Sequence, residues 1–191
     1  VEDLLDYAEL DKYIDVVSKT NEFLVTNVIP DFISLSDLRF ILTSLIREEI
    51  SIKDITYIFE KINDFAEDST KSDLIKKIRL TLSRQICDKY KNEDGVISAF
   101  EISEKTLDKL TPSFDEGEDA IIRIDAGFAE KLAEKIIKQS KQFEIDVPKL
   151  FVPLELRHLI FTLLSNYINN IVVLARAEIG CNAQVDIIAE I

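Results

Sequence analysis

At Asn92-Glu93-Asp94-Gly95 the spacing of apolar residues along the chain changes, and that change constrains the fold more than any other feature. Before the turn the spacing is helical. Leu38, Ile41, Leu42, Leu45 and Ile46 fall at i, i+3, i+4, i+7 and i+8, which is one buried helix face. Ser36 follows the break at Pro30 and is the expected N-cap. Ser51-Ile52-Lys53-Asp54 has the capping-box pattern and opens a second helix with Ile55, Ile58, Phe59, Ile62 and Phe65 on its apolar stripe. Thr70-Lys71-Ser72-Asp73 repeats the pattern and opens a third helix through Ile75, Ile78, Leu82 and Ile86. An earlier helix is expected over residues 1–17. Short connections between such helices predict a compact bundle.

After the turn the pattern alternates between strands and helices. Strands are expected over 96–102, 120–124, 147–152 and 171–175, with a last alternating strand carrying Val185, Ile187 and Ala189. Helices are expected over 104–110 (ending near Pro112), along Phe128, Leu132, Ile136 and Phe143, and over 154–167; an acidic loop occupies 113–119. The expected fold class is therefore mixed, α+β: a helical subdomain over 1–92, then a small α/β subdomain over 93–191.

Charge narrows the partners. The net charge of −13 repels nucleic-acid phosphate and favours basic surfaces, so no nucleic acid is expected. The charge is also uneven: residues 71–91 hold seven basic and two acidic side chains, and residues 92–119 hold nine acidic and two basic ones. This pattern fits solvated faces, and it also allows plus and minus patches that meet between neighbouring copies. No apolar run approaches the roughly 18–20 residues of a membrane helix. Cys87 and Cys181 have neither CxxC nor metal-type spacing and read as small core residues in a reducing compartment. A chain that begins at Val1 and contains no Met reads as an excised or processed piece.

No catalytic constellation is visible, so no enzyme activity, cofactor or metal is expected. His158 has no nucleophile or second ligand nearby in sequence, and the four glycines build no phosphate cradle. One segment, YKNEDGVISAFE over 90–101, partly matches a calcium loop. Gly95 would take position six, Asn92 and Asp94 positions three and five, and Glu101 the twelfth. Position one is Tyr90, which supplies no carboxylate, so a plain helix-to-strand turn is the expected reading.

Whole segments then resemble a known family. Residues 28–66, VIPDFISLSDLRFILTSLIREEISIKDITYIFEKINDFA, resemble a segment of the FHIPEP family of type III secretion export-gate proteins. Upstream VEDLLDY, downstream LIKKIRLTLSRQI over 74–86 and the stretch 147–179 resemble further family segments in the same order. Residues 173–179 read VLARAEI where many relatives carry VLSYxEI, and EISEKTL lacks a proline common in the family; both departures lean towards an injectisome member over a flagellar one.

The resemblance implies the third and fourth subdomains of a cytosolic region carried below a membrane-anchored pore, on the cytoplasmic face of the bacterial inner membrane. It implies a nine-membered homo-oligomeric ring in the full protein. Secretion chaperone–effector complexes, a gatekeeper protein and the stalk of the ATPase complex would be the partners. Ring contacts fall to the helical subdomain, where Arg39, Arg47, Glu48, Glu49, Lys53 and Asp54 are the candidates. Asp115, Glu116, Glu118 and Asp119 in the acidic loop are candidates for docking basic partners. Exposed ion pairs are weak, so the isolated chain is expected to be a monomer or a weak oligomer. A freestanding cytosolic protein-interaction adaptor is the alternative reading.

Overall fold

The computed structural model describes residues 5–110 and 126–191. Contacts gather the chain into two compact units, Val1–Leu82 and Ser83–Ile191. The division falls before helix Ser83–Tyr90, which joins the second unit.

The first unit is helical. Helix α1 spans Tyr7–Val28, beginning where Asp6 accepts the Glu9 N–H at 2.7 Å. It is longer than the expected 1–17 because Asn21 restarts it. Asn21 leaves helical geometry (φ −155°, ψ 80°), and its Oδ1 accepts the Leu24 N–H at 3.1 Å, capping the second half. Leu10, Val17, Leu24 and Val28 are its buried face, packed on helix α3, Ile55–Phe65. Asn27 donates to Asn63 across the same pairing. The Ile29–Pro30 peptide is cis.

Helix α2 spans Leu35–Arg47 and is capped by Ser34, not by Ser36. A capping box needs an acceptor three residues on: Ser34 has Asp37, whereas Ser36 has Arg39, which can only donate. Ser34 Oγ accepts the Asp37 N–H at 3.1 Å, and Asp37 accepts the Ser34 N–H at 3.1 Å. The Ser34 hydroxyl, followed by Lys71, holds the Asp37 carboxyl below its ordinary pKa. Helix α3 is likewise capped by Asp54, which accepts the Tyr57 N–H at 3.2 Å, and not by Ser51. Buried Ile50 and Ile52 alternate there with exposed Ser51 and Lys53, so the chain stays extended until Asp54. Helix α4, Lys71–Thr81, starts at the expected cap, Thr70, which accepts the Asp73 N–H at 3.2 Å. Leu82 breaks out of helical geometry (φ −92°, ψ 13°), so the expected third helix is two: α4 and then α5, Ser83–Tyr90. Leu38, Ile41, Leu42, Leu45, Phe59 and Ile78 are sealed in the core that α2, α3 and α4 build.

The second unit is a four-stranded, wholly parallel sheet in the order β3-β2-β1-β4, with β1 Val96–Glu101, β2 Lys149–Phe151, β3 Val172–Leu174 and β4 Gln184–Glu190. Parallel strands need crossovers, and these carry α6 (Glu104–Leu110), α7 (Ala126–Gln142), α8 (Arg157–Leu164) and the short α9 (Arg176–Ile179). The helix expected over 154–167 opens as a 3-10 turn, Leu154–Leu156, before α8. One sheet face contributes Phe100, Leu150 and Val173 to a core with Leu132 and Ile136 of α7 and Ile160 and Leu164 of α8. Ala99 and Phe151, on the other face, are also buried, as both faces of a parallel sheet must be. The turn at 92–95 is held by Asn92, whose Oδ1 accepts the N–H groups of Asp94 at 3.0 Å and Val96 at 2.9 Å, with Gly95 at φ +77°. The strand expected over 120–124 lies outside the described residues.

Two helices end in the same unusual way. After α2 the Ile50 N–H reaches the Leu45 carbonyl at 2.9 Å and the Glu49 N–H reaches Ile46 at 2.8 Å; after α7 the Ile145 N–H reaches Ser140 at 2.8 Å. Both are Schellman endings, which need a left-handed residue at the turn and favour glycine there. Here that residue is glutamate: Glu49 at φ +55° and Glu144 at φ +53°. A left-handed L-residue costs about 1–2 kcal/mol, and glycine's extra chain entropy costs about 0.5–1 kcal/mol. Glu49→Gly is therefore expected to stabilise the chain by about 0.5–1 kcal/mol in urea unfolding. A loss of stability would show that the Glu49 side chain holds something the backbone geometry does not.

Candidate functional site

Each unit contains a buried arginine–glutamate pair. In the first, Arg79 of α4 donates through Nη1 to Glu48 Oε2 at 2.9 Å, with the two side chains only 2% and 6% exposed. Arg79 lies on the edge of the apolar stripe of α4, four residues after Ile75 and three before Leu82. Glu48 caps the C-terminal end of α2, where a carboxylate is unfavourable against the helix dipole. The guanidinium opposite it offsets that cost and ties α2 to α4.

In the second unit Arg157, the first residue of α8, meets Glu178 of α9 at 3.3 Å, and the side chains are 2% and 0% exposed. Arg157 Nη1 also donates to the Val173 carbonyl at 3.4 Å, and Glu178 Oε2 accepts the Ala175 N–H at 2.9 Å. The pair thus fixes the end of β3, α9 and the start of α8 together.

Above that frame, at the carboxyl ends of β1, β2 and β3, lies a pocket of about 280 Å³. Ligand crevices in parallel sheets open at this end of the strands. Its walls are apolar, with Ile102, Leu107, Phe151, Val152 and Leu154 among them. Its polar groups are Glu101 at the end of β1 and Arg176 at the start of α9. Arg176 donates from Nε and Nη2 to Glu101 Oε1, at 3.0 and 2.7 Å, and its guanidinium lies 5.5 Å from the Phe151 ring centre. Glu101 is therefore engaged by arginine, and Asn92 by backbone amides; neither is arranged as a ligand of a calcium loop. Among the described residues no group of three or more His, Cys, Asp or Glu side chains gathers to hold a metal.

The FHIPEP family model matches residues 1–184. The chain belongs to the FHIPEP family. No curated protein matches the sequence. The fold of this FHIPEP chain is shared with solved structures. It is 22% identical to the MxiA protein of Shigella flexneri, with a TM-score of 0.82 over 96% of this chain and 58% of that one. It is 19% identical to a chain in the CdsV and CdsO complex of Chlamydia pneumoniae, with a TM-score of 0.84 over 97% and 54%. It is 19% identical to the nonameric EPEC SctV-C, with a TM-score of 0.78 over 96% and 56%. The chain spans a little over half the length of each.

On the FHIPEP fold the expected surface residues separate. Arg47, Glu49, Lys53 and Asp54 are exposed at the α2–α3 junction, with Asp54 also spent on the α3 cap. Glu48 is not a surface residue: Arg79 holds it in the core. Arg39 is half-buried; its Nε donates to the Leu5 carbonyl at 2.7 Å, and its guanidinium stacks 4.9 Å from the Tyr7 ring centre. Asp115, Glu116, Glu118 and Asp119 lie outside the described residues. Sequence reasoning missed Arg79, Arg157, Glu178 and Arg176. A signal existed for the first two, since Arg79 borders the α4 stripe and Arg157 shares a face with Ile160 and Leu164.

Breaking a buried pair by removing one partner costs about 3–5 kcal/mol, whereas replacing both with apolar residues of similar size can be neutral. Arg79→Met alone is expected to lower the unfolding free energy by that amount in urea titration, and Arg79→Met with Glu48→Leu to recover most of it. Equal losses in the single and double variants would show that the two side chains are not coupled.

Proposed function

We propose that this FHIPEP chain is part of the cytosolic region of a bacterial type III secretion export gate. In that reading, copies of the full protein form a ring at the cytoplasmic face of the inner membrane. Chaperone–effector complexes, a gatekeeper protein and the stalk of the ATPase complex dock on the ring, and the chain acts by docking and assembly, without catalysis. The observation that carries this reading is the family match over residues 1–184. The shared fold with a nonameric relative, and with a relative held in a complex with CdsO, supports ring formation and partner binding. Among the described residues no helix is long and apolar enough to cross a membrane, so in this reading the anchor belongs to another part of the protein.

The exposed mixed charges at the α2–α3 junction, Arg47, Glu49 and Lys53, are the proposed ring contacts of the helical unit. Head-to-tail contacts place different faces of one protomer against each other, and opposite signs on those faces favour that. Exposed pairs contribute about 0–1 kcal/mol each, so a ring built on them depends on the membrane-held array for its local concentration. The acidic residues Asp115, Glu116, Glu118 and Asp119 are the proposed contacts for basic partner surfaces.

Two measurements on the 191-residue chain test the reading. Light scattering at micromolar concentration should give a monomer or a weak oligomer, and a stable oligomer would contradict the weak-contact account. The immobilised chain should retain cognate chaperone–effector complexes, and raised salt should weaken that retention. Retention no greater than on an unrelated protein of equal net charge would contradict the docking role.

A further inference from the structure

We propose that Cys87 and Cys181 form a redox-sensing pair. On meeting a low-molecular-weight disulfide such as oxidised glutathione, the two thiols close a reversible disulfide within the chain. That bond ties α5 to the turn between α9 and β4. This proposal goes beyond the secretion reading and does not depend on it.

Exposure is the first argument. Cysteine is among the residues most often fully buried, and Cys87 follows that rule. Cys181 does not: it is exposed, against the expectation of a small core residue. Packing therefore does not account for Cys181, and its thiol is open to reagents in solution.

The fold then brings the two cysteines together inside the second unit. Cys87 lies on α5 and donates through Sγ to the Ile179 carbonyl at 3.6 Å. The same carbonyl accepts the Asn182 N–H at 3.1 Å, which closes the four-residue turn Ile179-Gly180-Cys181-Asn182. Gly180 takes the left-handed corner of that turn, at φ +54° and ψ −127°, and Cys181 takes the next corner. Asn182 Nδ2 donates to Ser83 Oγ at 3.0 Å, and Ser83 and Cys87 are i, i+4 neighbours on one face of α5. The turn is thus docked on that face at both ends, with Cys181 between the two contacts. A turn of this kind spans under about 7 Å, which is the scale of a disulfide's reach, roughly 4.4–6.8 Å between Cα atoms. Cys87 Sγ gives up only a weak S–H donor contact when it turns towards Cys181.

Access orders the chemistry. The exposed Cys181 thiolate attacks one sulfur of oxidised glutathione. A Cys181–glutathione disulfide forms, and one glutathione leaves as the thiolate and takes up a proton. Burial, with the Asp88 charge adding to it, pushes the Cys87 thiol up, so Cys87 is a poor reagent towards anything in solution. A disulfide held beside it by the turn is a high local concentration of target. Cys87 gives its proton to water, its sulfur attacks Cys181 Sγ, and the second glutathione leaves. Two protein thiols are oxidised to one disulfide, and one glutathione disulfide is reduced to two thiols. Excess reduced glutathione runs both steps backwards, which suits a sensing pair in a reducing compartment and not a structural bridge.

The test treats the 191-residue chain with oxidised glutathione, blocks remaining thiols with iodoacetamide and weighs the product. The expected product is a monomer lighter by two hydrogens that takes up no iodoacetamide. Its tryptic digest should hold the peptide over 85–89 joined to that over 177–191, each of which has one cysteine, and a reducing agent should separate them. Cys87→Ser should stop the reaction at the Cys181–glutathione adduct, and Cys181→Ser should leave Cys87 unmodified. The bond should form on the order of tenfold faster in the folded chain than in the chain unfolded in urea, because the fold holds the partners together. The mass and peptide map of the unaltered chain stand even if a variant fails to fold. A glutathione adduct with no Cys87–Cys181 link would overturn the proposal, as would a Cys181–Cys181 dimer or a link that forms no faster in the folded chain.

Discussion

A guanidinium enclosed among apolar helices must be matched by a carboxylate, and the structure of this chain depends on that matching in both units. Removing two charges from water costs several kcal/mol per ion, and their attraction offsets this only when geometry and further hydrogen bonds are good. Arg157 and Glu178 meet that requirement by also bonding the Val173 carbonyl and the Ala175 N–H. The pair thereby fixes the connection from β3 into α9, which presents Arg176 to Glu101 at the pocket mouth. Arg79 and Glu48 impose a similar constraint on α2 and α4. An apolar pair of similar size in either place can be as stable.

The fold was legible in the sequence where periodicity and capping chemistry agree. The stripes at Leu38–Ile46 and Ile55–Phe65, the Thr70 cap and the turn at Asn92–Gly95 appear as expected. What escaped was local competition between equally good caps. Ser34 and Asp54 displace Ser36 and Ser51 because only they combine a matching acceptor or an extended approach with the helix start. The break at Leu82 and the restart at Asn21 escaped because no Gly or Pro marks either place, and Asn21 caps through its own side chain inside a helical pattern. The parallel order β3-β2-β1-β4 is non-local and no short window carries it.

The candidate site was less legible. Glu48 read as a surface charge because its partner is 31 residues away, and no helical spacing joins them. Arg176 and Glu101 are 75 residues apart and meet only through the sheet. The charge pattern drew attention to the α2–α3 junction, where Arg47, Glu49 and Lys53 are exposed. It could not separate these from Glu48, because solvation and burial leave the same letter in the sequence.

The Arg157–Glu178 pair locks the frame beneath the pocket. Native-state hydrogen exchange at the Ala175 amide tests it most directly, since that N–H is bonded to the buried Glu178 carboxylate. The account predicts exchange only through global unfolding of the second unit, with the same urea dependence as the Val152 amide bonded to Leu174. Fast exchange at Ala175, independent of urea, would mean that the pair opens locally, and it would contradict the account.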